Sequence, residues 1–96
     1  MGNSGTVYKT ADGELLAAGD KIRVFNINVN SGAGGNGVVE LRNGGAAGDI
    51  YVVVTGTAST GVSFEFGDQG YLFLNGCYAN IDANVDSIAV TLVKEM

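Results

Sequence analysis

The chain has 96 residues, of which 46% are hydrophobic and 16% charged, with 16 glycines and no proline or tryptophan. This length fits one domain, and the apolar content excludes an intrinsically disordered chain. The net charge of −5, with five basic residues scattered along the chain, gives no basic patch for nucleic acid or for an anionic membrane, so we expect neither as a partner.

The first five residues, Met-Gly-Asn-Ser-Gly, are small and polar. We therefore predict a flexible N-terminus over residues 1–5 and a single domain over residues 6–96. Because the N-terminus lacks the apolar core of a signal peptide, we expect cytoplasmic synthesis without a signal peptide.

A strand and a turn are predicted at Thr6–Ala11, where apolar and polar residues alternate before Asp12-Gly13. Glu14–Ala18 then forms the return arm of a hairpin. One helical turn is the alternative for this segment, since it is too short for an independent helix in water.

The longest predicted strand, Asp20–Asn30, contains a break in its alternation. Ile22 and Val24 share one face, whereas the apolar residues of Phe25–Val29 share the other. A β-bulge at Val24-Phe25 would place both sets in the core, because one extra residue re-aims every side chain after it. The asparagines that follow then face outward.

The glycine-rich segment Ser31–Gly37 invites comparison with a phosphate-binding loop. That loop requires a Lys before a helix, but here the glycines lead into Val38-Val39, the start of a strand, with no Lys. We interpret the segment as a long, flexible hairpin loop.

Further alternating stretches follow, each bounded by Gly, Asn or Asp. They are Val38–Asn43, Asp49–Thr57, Thr60–Phe66, Tyr71–Leu74, Cys77–Ile81 and Ser87–Lys94. The whole pattern, about eight short strands roughly 10 residues apart, predicts an all-β antiparallel sandwich or jelly-roll-like domain with no substantial helix.

The dipeptide Asn75-Gly76 separates two apolar runs, and this is a strong signal for a two-residue β-hairpin. Alternation across such a turn assigns one set of residues to the core and another to the opposite face. The core set is Leu72, Leu74, Cys77, Ala79 and Ile81, and the opposite set is Tyr71, Phe73 and Tyr78.

Little in the sequence supports catalysis. Histidine is absent, which removes the commonest general base and most zinc sites. Cys77 is the sole cysteine, so it forms no internal disulfide and is interpreted as a small buried hydrophobe. We predict no catalytic residue, no cofactor and no enzymatic activity.

A weak calcium candidate lies in the connection after Ile81. Asp82, Asn84 and Asp86 offer oxygen ligands at alternate positions. Ser87 and Val93 occupy the sixth and twelfth positions, where an EF-hand needs Gly and Glu, so that motif is excluded. The alternative is that these residues build the turn through side chain–backbone hydrogen bonds.

Aromatic residues supply the remaining functional signal. Those that alternation places away from the core would form an exposed apolar surface, and such surfaces mark protein interfaces. Tyr51, Val53, Tyr71 and Phe73 are the predicted interface residues. Exposed tyrosines can also stack on sugars, and scattered aromatics without a role are a further alternative.

Five segments together carry a family resemblance: Lys21–Asn30, Gly37–Asn43, Val62–Phe66, Tyr71–Ile81 and Ala89–Val93. Their succession resembles the small β-sandwich virion proteins of tailed bacteriophages, of the cyanophage and marine phage type. The N-terminal residues match that group less well.

The resemblance implies a non-enzymatic structural protein of the virion. Such a protein acts as capsid decoration or cement, or as a tail-associated module, commonly as a trimer that contacts itself and other virion proteins. The alternative function is a lectin-like module that binds a glycan or cell surface through its tyrosines and glycine-rich loops.

Overall fold

The computed structural model describes residues 4–16 and 21–94. This part of the chain forms nine strands and no helix, so it contains no helix that could cross a membrane. The strands are β1 (Ser4–Lys9), β2 (Gly13–Leu16), β3 (Ile22–Ser31), β4 (Gly37–Asn43), β5 (Asp49–Gly56), β6 (Gly61–Glu65), β7 (Tyr71–Phe73), β8 (Cys77–Ile81) and β9 (Val85–Lys94).

The strands form two antiparallel sheets that pack against each other, which confirms the predicted β-sandwich. The first sheet has the order β1-β9-β3-β6, with β7 also paired to β3, and the second has the order β2-β8-β4-β5. The core between them consists of the inward side chains of both sheets, as sandwich packing requires. Its buried apolar members are Leu15, Ile22, Val24, Ile27, Val29, Val39, Leu41, Val54, Phe73, Cys77, Ala79, Val85, Ile88, Val90 and Leu92.

The strand order is that of a jelly roll. Counted outward from the β4–β5 turn, β4 pairs with β5, β3 with β6 and β7, β2 with β8, and β1 with β9. The chain is thus a long two-stranded ribbon. Wrapping the ribbon adds two ladders, β3 with β9 and β4 with β8, which complete the two sheets.

The predicted β-bulge in β3 is confirmed. In the ladder with β9, Val24 pairs with Leu92 and Asn26 with Thr91, so Phe25 has no partner. The inward residues on both sides of the bulge are fully buried. Phe25, which the prediction grouped with the core set, is half-buried because it is the extra residue.

The same bulge divides the neighbouring edge strand. β6 pairs with Asn26–Asn30, whereas β7 pairs with Ile22–Val24. Between them residues 66–70 leave the sheet, and the Phe66 amide donates a hydrogen bond to the carbonyl of Phe25 at 3.0 Å. β6 and β7 therefore form one interrupted edge strand.

The predicted Asn75-Gly76 hairpin is wrong. β7 pairs with β3 in the first sheet, whereas β8 pairs with β2 and β4 in the second. A type I′ turn needs positive φ at both central residues, but Gly76 has φ of 83° while Asn75 is not in the positive region. The segment is a corner that carries the chain from one sheet to the other.

This corner reverses the predicted faces of β7. Phe73 is fully buried and Leu74 is 55% exposed, the opposite of the hairpin prediction. Leu72, Tyr78 and Ile81 are half-buried. Cys77 and Ala79 are buried as predicted, because β8 keeps its own alternation after the corner.

Two predictions near the N-terminus also change. The segment after Asp12-Gly13 is a strand, but β2 pairs with β8 in the second sheet and does not return along β1. Ser4 and Gly5, assigned to the flexible terminus, pair with Val93 and Leu92 as the start of β1. Residues 1–3 and 17–20 lie outside the described part, which includes the end of the predicted return arm.

The β4–β5 connection is a true hairpin, and its long turn depends on glycine. Gly44 has φ of 100°. A Cβ on Gly48 would overlap the carbonyl oxygen of Asn43, so a side chain there would force the turn open. The turn also anchors the Asn75-Gly76 corner, since the Asn75 amide donates to Oδ1 of Asn43 at 2.9 Å.

Because Phe73 is buried and Leu74 is exposed, truncating these neighbouring residues should change the free energy of unfolding by very different amounts. Phe73→Ala should lower the free energy of unfolding by ~3–5 kcal/mol, because it leaves a cavity in the core. Leu74→Ala, at an exposed position, should change it by less than ~0.5 kcal/mol. Urea unfolding followed by circular dichroism measures both, and a larger loss for Leu74→Ala would restore the hairpin assignment.

Candidate functional site

A shallow groove of about 390 Å³ opens where the edge strand β5 of the second sheet meets β7 of the first. Its lining residues are Arg23, Tyr51, Gly70, Tyr71, Leu72 and Leu74, and we call it the aromatic groove. Two of the four predicted interface residues, Tyr51 and Tyr71, therefore lie together in one depression.

The aromatic rings of the groove stack on a buried support. The ring centroid of Phe73 lies 5.2 Å from that of Tyr51 and 5.5 Å from that of Tyr71, in tilted arrangements. The two tyrosine rings are 6.0 Å apart, and Phe66 meets Tyr71 edge-on at 6.4 Å. These distances are within the range in which aromatic pairs attract one another, so the groove has a defined shape.

The predicted interface residues separate into three roles. Phe73 is fully buried and supports the tyrosines from below, so the prediction that it faces away from the core is wrong. Tyr71 is 39% exposed and Tyr51 is half-buried against the core. Val53 is 56% exposed, but it lies outside the groove and is paired across the ladder with Glu40.

Tyr51 enters the groove because β5 contains a bulge of its own. Leu41 pairs with Val52 and Arg42 with Ile50, which leaves Tyr51 as the extra residue. The bulge also turns Ile50 outward, to 47% exposure. Strict alternation over Asp49–Thr57 places Ile50 on the same face as Val52 and Val54, and no signal in the sequence marks this second bulge.

Sequence reasoning missed two exposed apolar residues, Ile50 and Leu74. Leu74 lines the groove itself, and Ile50 directly precedes its residue Tyr51 in the chain. Alternation assigns both residues to inward rows. The sequence could have indicated the exposure of Leu74 only if Asn75-Gly76 had been interpreted as a corner between sheets and not as a hairpin turn.

Arg23 and Gly70 shape the rim of the groove. The Arg23 guanidinium donates a hydrogen bond from Nη1 to the carbonyl oxygen of Gln69 at 3.2 Å. Gly70 has φ of 69°, and a Cβ there would lie 2.9 Å from the carbonyl oxygen of Val24 and 3.1 Å from the Phe25 ring. The loop of residues 66–70 can close on the β3 bulge because position 70 is glycine.

A polar network crosses the outer face of the second sheet. Arg42 donates from Nη2 to Oε1 of Glu40 at 2.7 Å and from Nη1 to the carbonyl of Ala46 at 2.8 Å. Asn80 donates to the same Glu40 oxygen at 3.0 Å. The hydrogen bond from Arg42, followed by that from Asn80, lowers the pKa of Glu40 below its ordinary value of 4.5. The network joins β4 to β8 and to the β4–β5 turn.

Because its pKa is lowered, Glu40 contributes to the loss of fold stability in acid. A carboxylate whose pKa is lower in the folded chain stabilises the fold above its unfolded pKa, and that stabilisation is lost as pH falls through the folded value. We expect Glu40→Gln to be less stable than the wild type at pH 7, with the difference shrinking below about pH 4.5. Thermal melts from pH 7 to pH 2.5 measure it, and a difference that is constant with pH would contradict the assigned cause.

The calcium candidate residues lie at the opposite end of the sandwich, where Asp82 and Asn84 form hydrogen bonds with backbone groups. Asp82 accepts the Val38 amide through Oδ2 at 3.0 Å and the Asn84 amide through Oδ1 at 2.9 Å. Asn84 donates from its side chain to the carbonyl of Asn36 at 3.2 Å. These are the side chain–backbone bonds of the turn alternative.

A second depression of about 480 Å³ lies beside these residues. It includes Asp12, whose Oδ1 accepts the Ile81 amide at 2.7 Å, as well as Asp82. Within residues 4–16 and 21–94, no group of three or more His, Cys, Asp or Glu side chains is placed to hold a metal ion. The calcium site remains a prediction from the sequence.

The glycine-rich segment Ser31–Gly37 packs against the β8–β9 connection. A Cβ on Gly32 would lie 2.9 Å from Oδ1 of Asp86, and a Cβ on Gly37 would overlap the Val85 side chain. The Gly32 amide donates to the Asn84 carbonyl at 2.8 Å. The segment joins β3 in the first sheet to β4 in the second, so it is a crossing between sheets and the predicted hairpin is wrong. Its glycines permit close backbone packing.

Cys77 is fully buried in β8, as predicted. Burial raises the pKa of its thiol to about 12, so the thiolate that reacts with electrophiles is scarce at neutral pH. We expect an aromatic disulfide reagent at pH 7.5 to modify the folded protein at least ~100-fold more slowly than the urea-unfolded chain. Equal rates would show that β8 opens freely.

No protein-family model matches the chain, and a search of curated proteins finds no match.

Proposed function

We propose that the protein is a non-enzymatic structural protein that acts by binding copies of itself. The observation that carries this proposal is the concentration of exposed apolar side chains around the aromatic groove. Tyr71, Leu74 and Ile50 are 39%, 55% and 47% exposed. Such an apolar patch on a small domain is typical of a contact surface, and a 96-residue chain gains stability by covering it.

Two features of the chain support a role without catalysis. Histidine is absent from the sequence, and the thiol of Cys77 is both buried and held protonated. The carboxylates of Asp12 and Asp82 accept backbone amides, and that of Glu40 accepts hydrogen bonds from Arg42 and Asn80, which gives these three a structural role.

The setting we propose is a phage particle, where the protein would decorate the capsid or belong to the tail. The support is the sequence resemblance described above, together with the jelly-roll topology, which viral capsid domains and lectins both use. Because one fold serves many functions, the topology supports this setting only by analogy. Capsid or tail genes beside the gene for this chain would support it, and unrelated metabolic neighbours would count against it.

Light scattering with size-exclusion chromatography tests self-association. The wild type should elute as a multiple of the 9.8 kDa chain, and Tyr71→Ser or Leu74→Ser should shift it toward the single-chain mass. Tyr8→Ser is the control, since Tyr8 is 65% exposed on β1, at the far edge of the first sheet. A single-chain mass for the wild type in concentrated solution would contradict the proposal.

A glycan-binding module is the second candidate, and the composition of the aromatic groove favours it. The groove combines the partly exposed Tyr71 ring with the Arg23 side chain, and a tyrosine offers both an apolar ring face and a polar hydroxyl to a sugar. A glycan array tests this function. Signal that Tyr71→Ala abolishes and Tyr71→Phe retains would indicate stacking on the ring, whereas an array without signal would rule it out for the glycans present.

A further inference from the structure

Two sheets of a sandwich leave four edges, and unpaired edge strands invite pairing with other chains. In the described part of the chain, β1 and the β6/β7 strand are the edges of the first sheet, and β2 and β5 are those of the second. Natural proteins protect such edges with charges, short strands, bulges or interruptions.

Three of these edges carry such protection. β1 ends in Lys9, and β2 is four residues long and contains Glu14. The β6/β7 edge ends its first part at Glu65 and is then interrupted by residues 66–70. Each of β1, β2 and β6 is shorter than β5 and contains a charged residue, and the β6/β7 edge is also interrupted.

The edge strand β5 is different. It is eight residues long, and no charged residue occurs from Ile50 to Gly56. After the bulge at Tyr51, its ladder with β4 runs without irregularity from Val52 to Gly56. On the side away from β4 no described strand pairs with it, so that side presents backbone amide and carbonyl groups to the surroundings.

We infer that β5 is the strand through which two copies of the chain join, by antiparallel pairing of β5 with the β5 of a second copy across a two-fold axis. The second sheets of both copies would become one continuous eight-stranded sheet. This inference rests on the proposed self-association and specifies its geometry.

Charge favours a second copy as the occupant of this edge. The chain carries a net charge of −5, so two copies repel each other overall, and a contact without charged side chains adds no local repulsion. Two β5 strands meet without any charged side chain in the paired segment Val52–Gly56. Antiparallel pairing across a two-fold axis is also self-complementary and closed, so it uses up both edges and stops at two chains.

The surface beside β5 adds area to this contact. Ile50 and Tyr51 belong to the same strand, and Val53 and Thr55 are exposed along it. Strand pairing alone is narrow, whereas a stable interface buries ~800 Å² on each partner. The aromatic groove next to the strand supplies the further apolar surface.

The test replaces exposed residues along the strand with like charges. We choose the double variant Val53→Lys/Thr55→Lys, since both side chains are exposed and the fold should tolerate them. If the two-fold axis passes through residue 53, 54 or 55 of the paired strands, at least one introduced lysine lies directly opposite a lysine of the second copy. Like charges directly opposite each other destabilise a strand pair.

The matched control is Thr6→Lys/Tyr8→Lys on β1. It makes the same change in net charge at two exposed, alternate positions of an edge strand in the other sheet. We expect the wild type and this control to have the mass of two chains and the β5 variant that of one. Circular dichroism should show the same strand content in all three.

Hydrogen–deuterium exchange supplies the second measurement. In the paired state, alternate amides of Val52–Gly56 should exchange at least ~10-fold more slowly than after dilution to single chains, because pairing protects outward amides. The β5 variant should lack this concentration dependence.

The outcomes distinguish the inference from the proposed function. A wild-type oligomer that survives the β5 variant, that shows no change in β5 exchange, or that has the mass of three chains would overturn strand pairing and leave self-association standing. A single-chain wild type would overturn both.

Discussion

The bulge at Phe25 is the constraint on which the rest of the fold depends. β3 is the central strand of the first sheet, with β9 on one side and β6 and β7 on the other. The inward-facing residues of β3 are even-numbered up to Val24 and odd-numbered from Ile27. Without the extra residue, one half of the strand would therefore expose its valine and isoleucine to water. The full burial of both halves shows that the bulge sets the register of β9.

The same residue organises the opposite side of the sheet. Where β3 bulges, the edge strand must break, and the loop of residues 66–70 is the result. That loop closes on Phe25 through the Phe66 amide and on the Val24 carbonyl at Gly70. The interruption ends at Tyr71, so it also determines where β7 begins and which of its residues face inward. Phe73 is thereby placed beneath Tyr51 and Tyr71, which gives the aromatic groove its floor.

Alternation in the sequence predicted the existence and position of the strands well. The alternation in Val38–Asn43 and Ser87–Lys94 also agrees with the buried rows of β4 and β9, such as Val39 with Leu41 and Val90 with Leu92, because a side-chain period of two is a local property. The bulge at Phe25 was visible for the same reason, since it leaves a break in an otherwise strict pattern.

Which strands pair with each other is not a local property, and the pairing predicted across Asn75-Gly76 was wrong. Asn75-Gly76 has the composition of a hairpin turn, but β7 finds its partner in β3 and β8 finds its partners in β2 and β4. The corner then exchanges the roles of Phe73 and Leu74. The bulge at Tyr51 was hidden because Ile50, Tyr51 and Val52 are all apolar, so an added residue breaks no visible pattern. Two of the six residues that line the aromatic groove, Tyr51 and Tyr71, could therefore be named from the sequence, but the geometry of the groove could not.

The composition of β5, which leaves its edge uncharged, also favours the β4–β5 hairpin at the centre of the jelly-roll ribbon. The ribbon begins at the β4–β5 turn, whose ends are closest in sequence, and contacts that close short loops cost the least entropy. A strand built of Ile, Tyr, Val and Thr favours that first hairpin strongly. The consequence is an uncharged edge that stays open after the ribbon has wrapped, since β8 pairs with β4 and not with β5. A charge or a proline in β5 would protect this edge but weaken the β4–β5 hairpin. The inferred pairing with a second copy would resolve that conflict, because it would protect the edge without changing the strand.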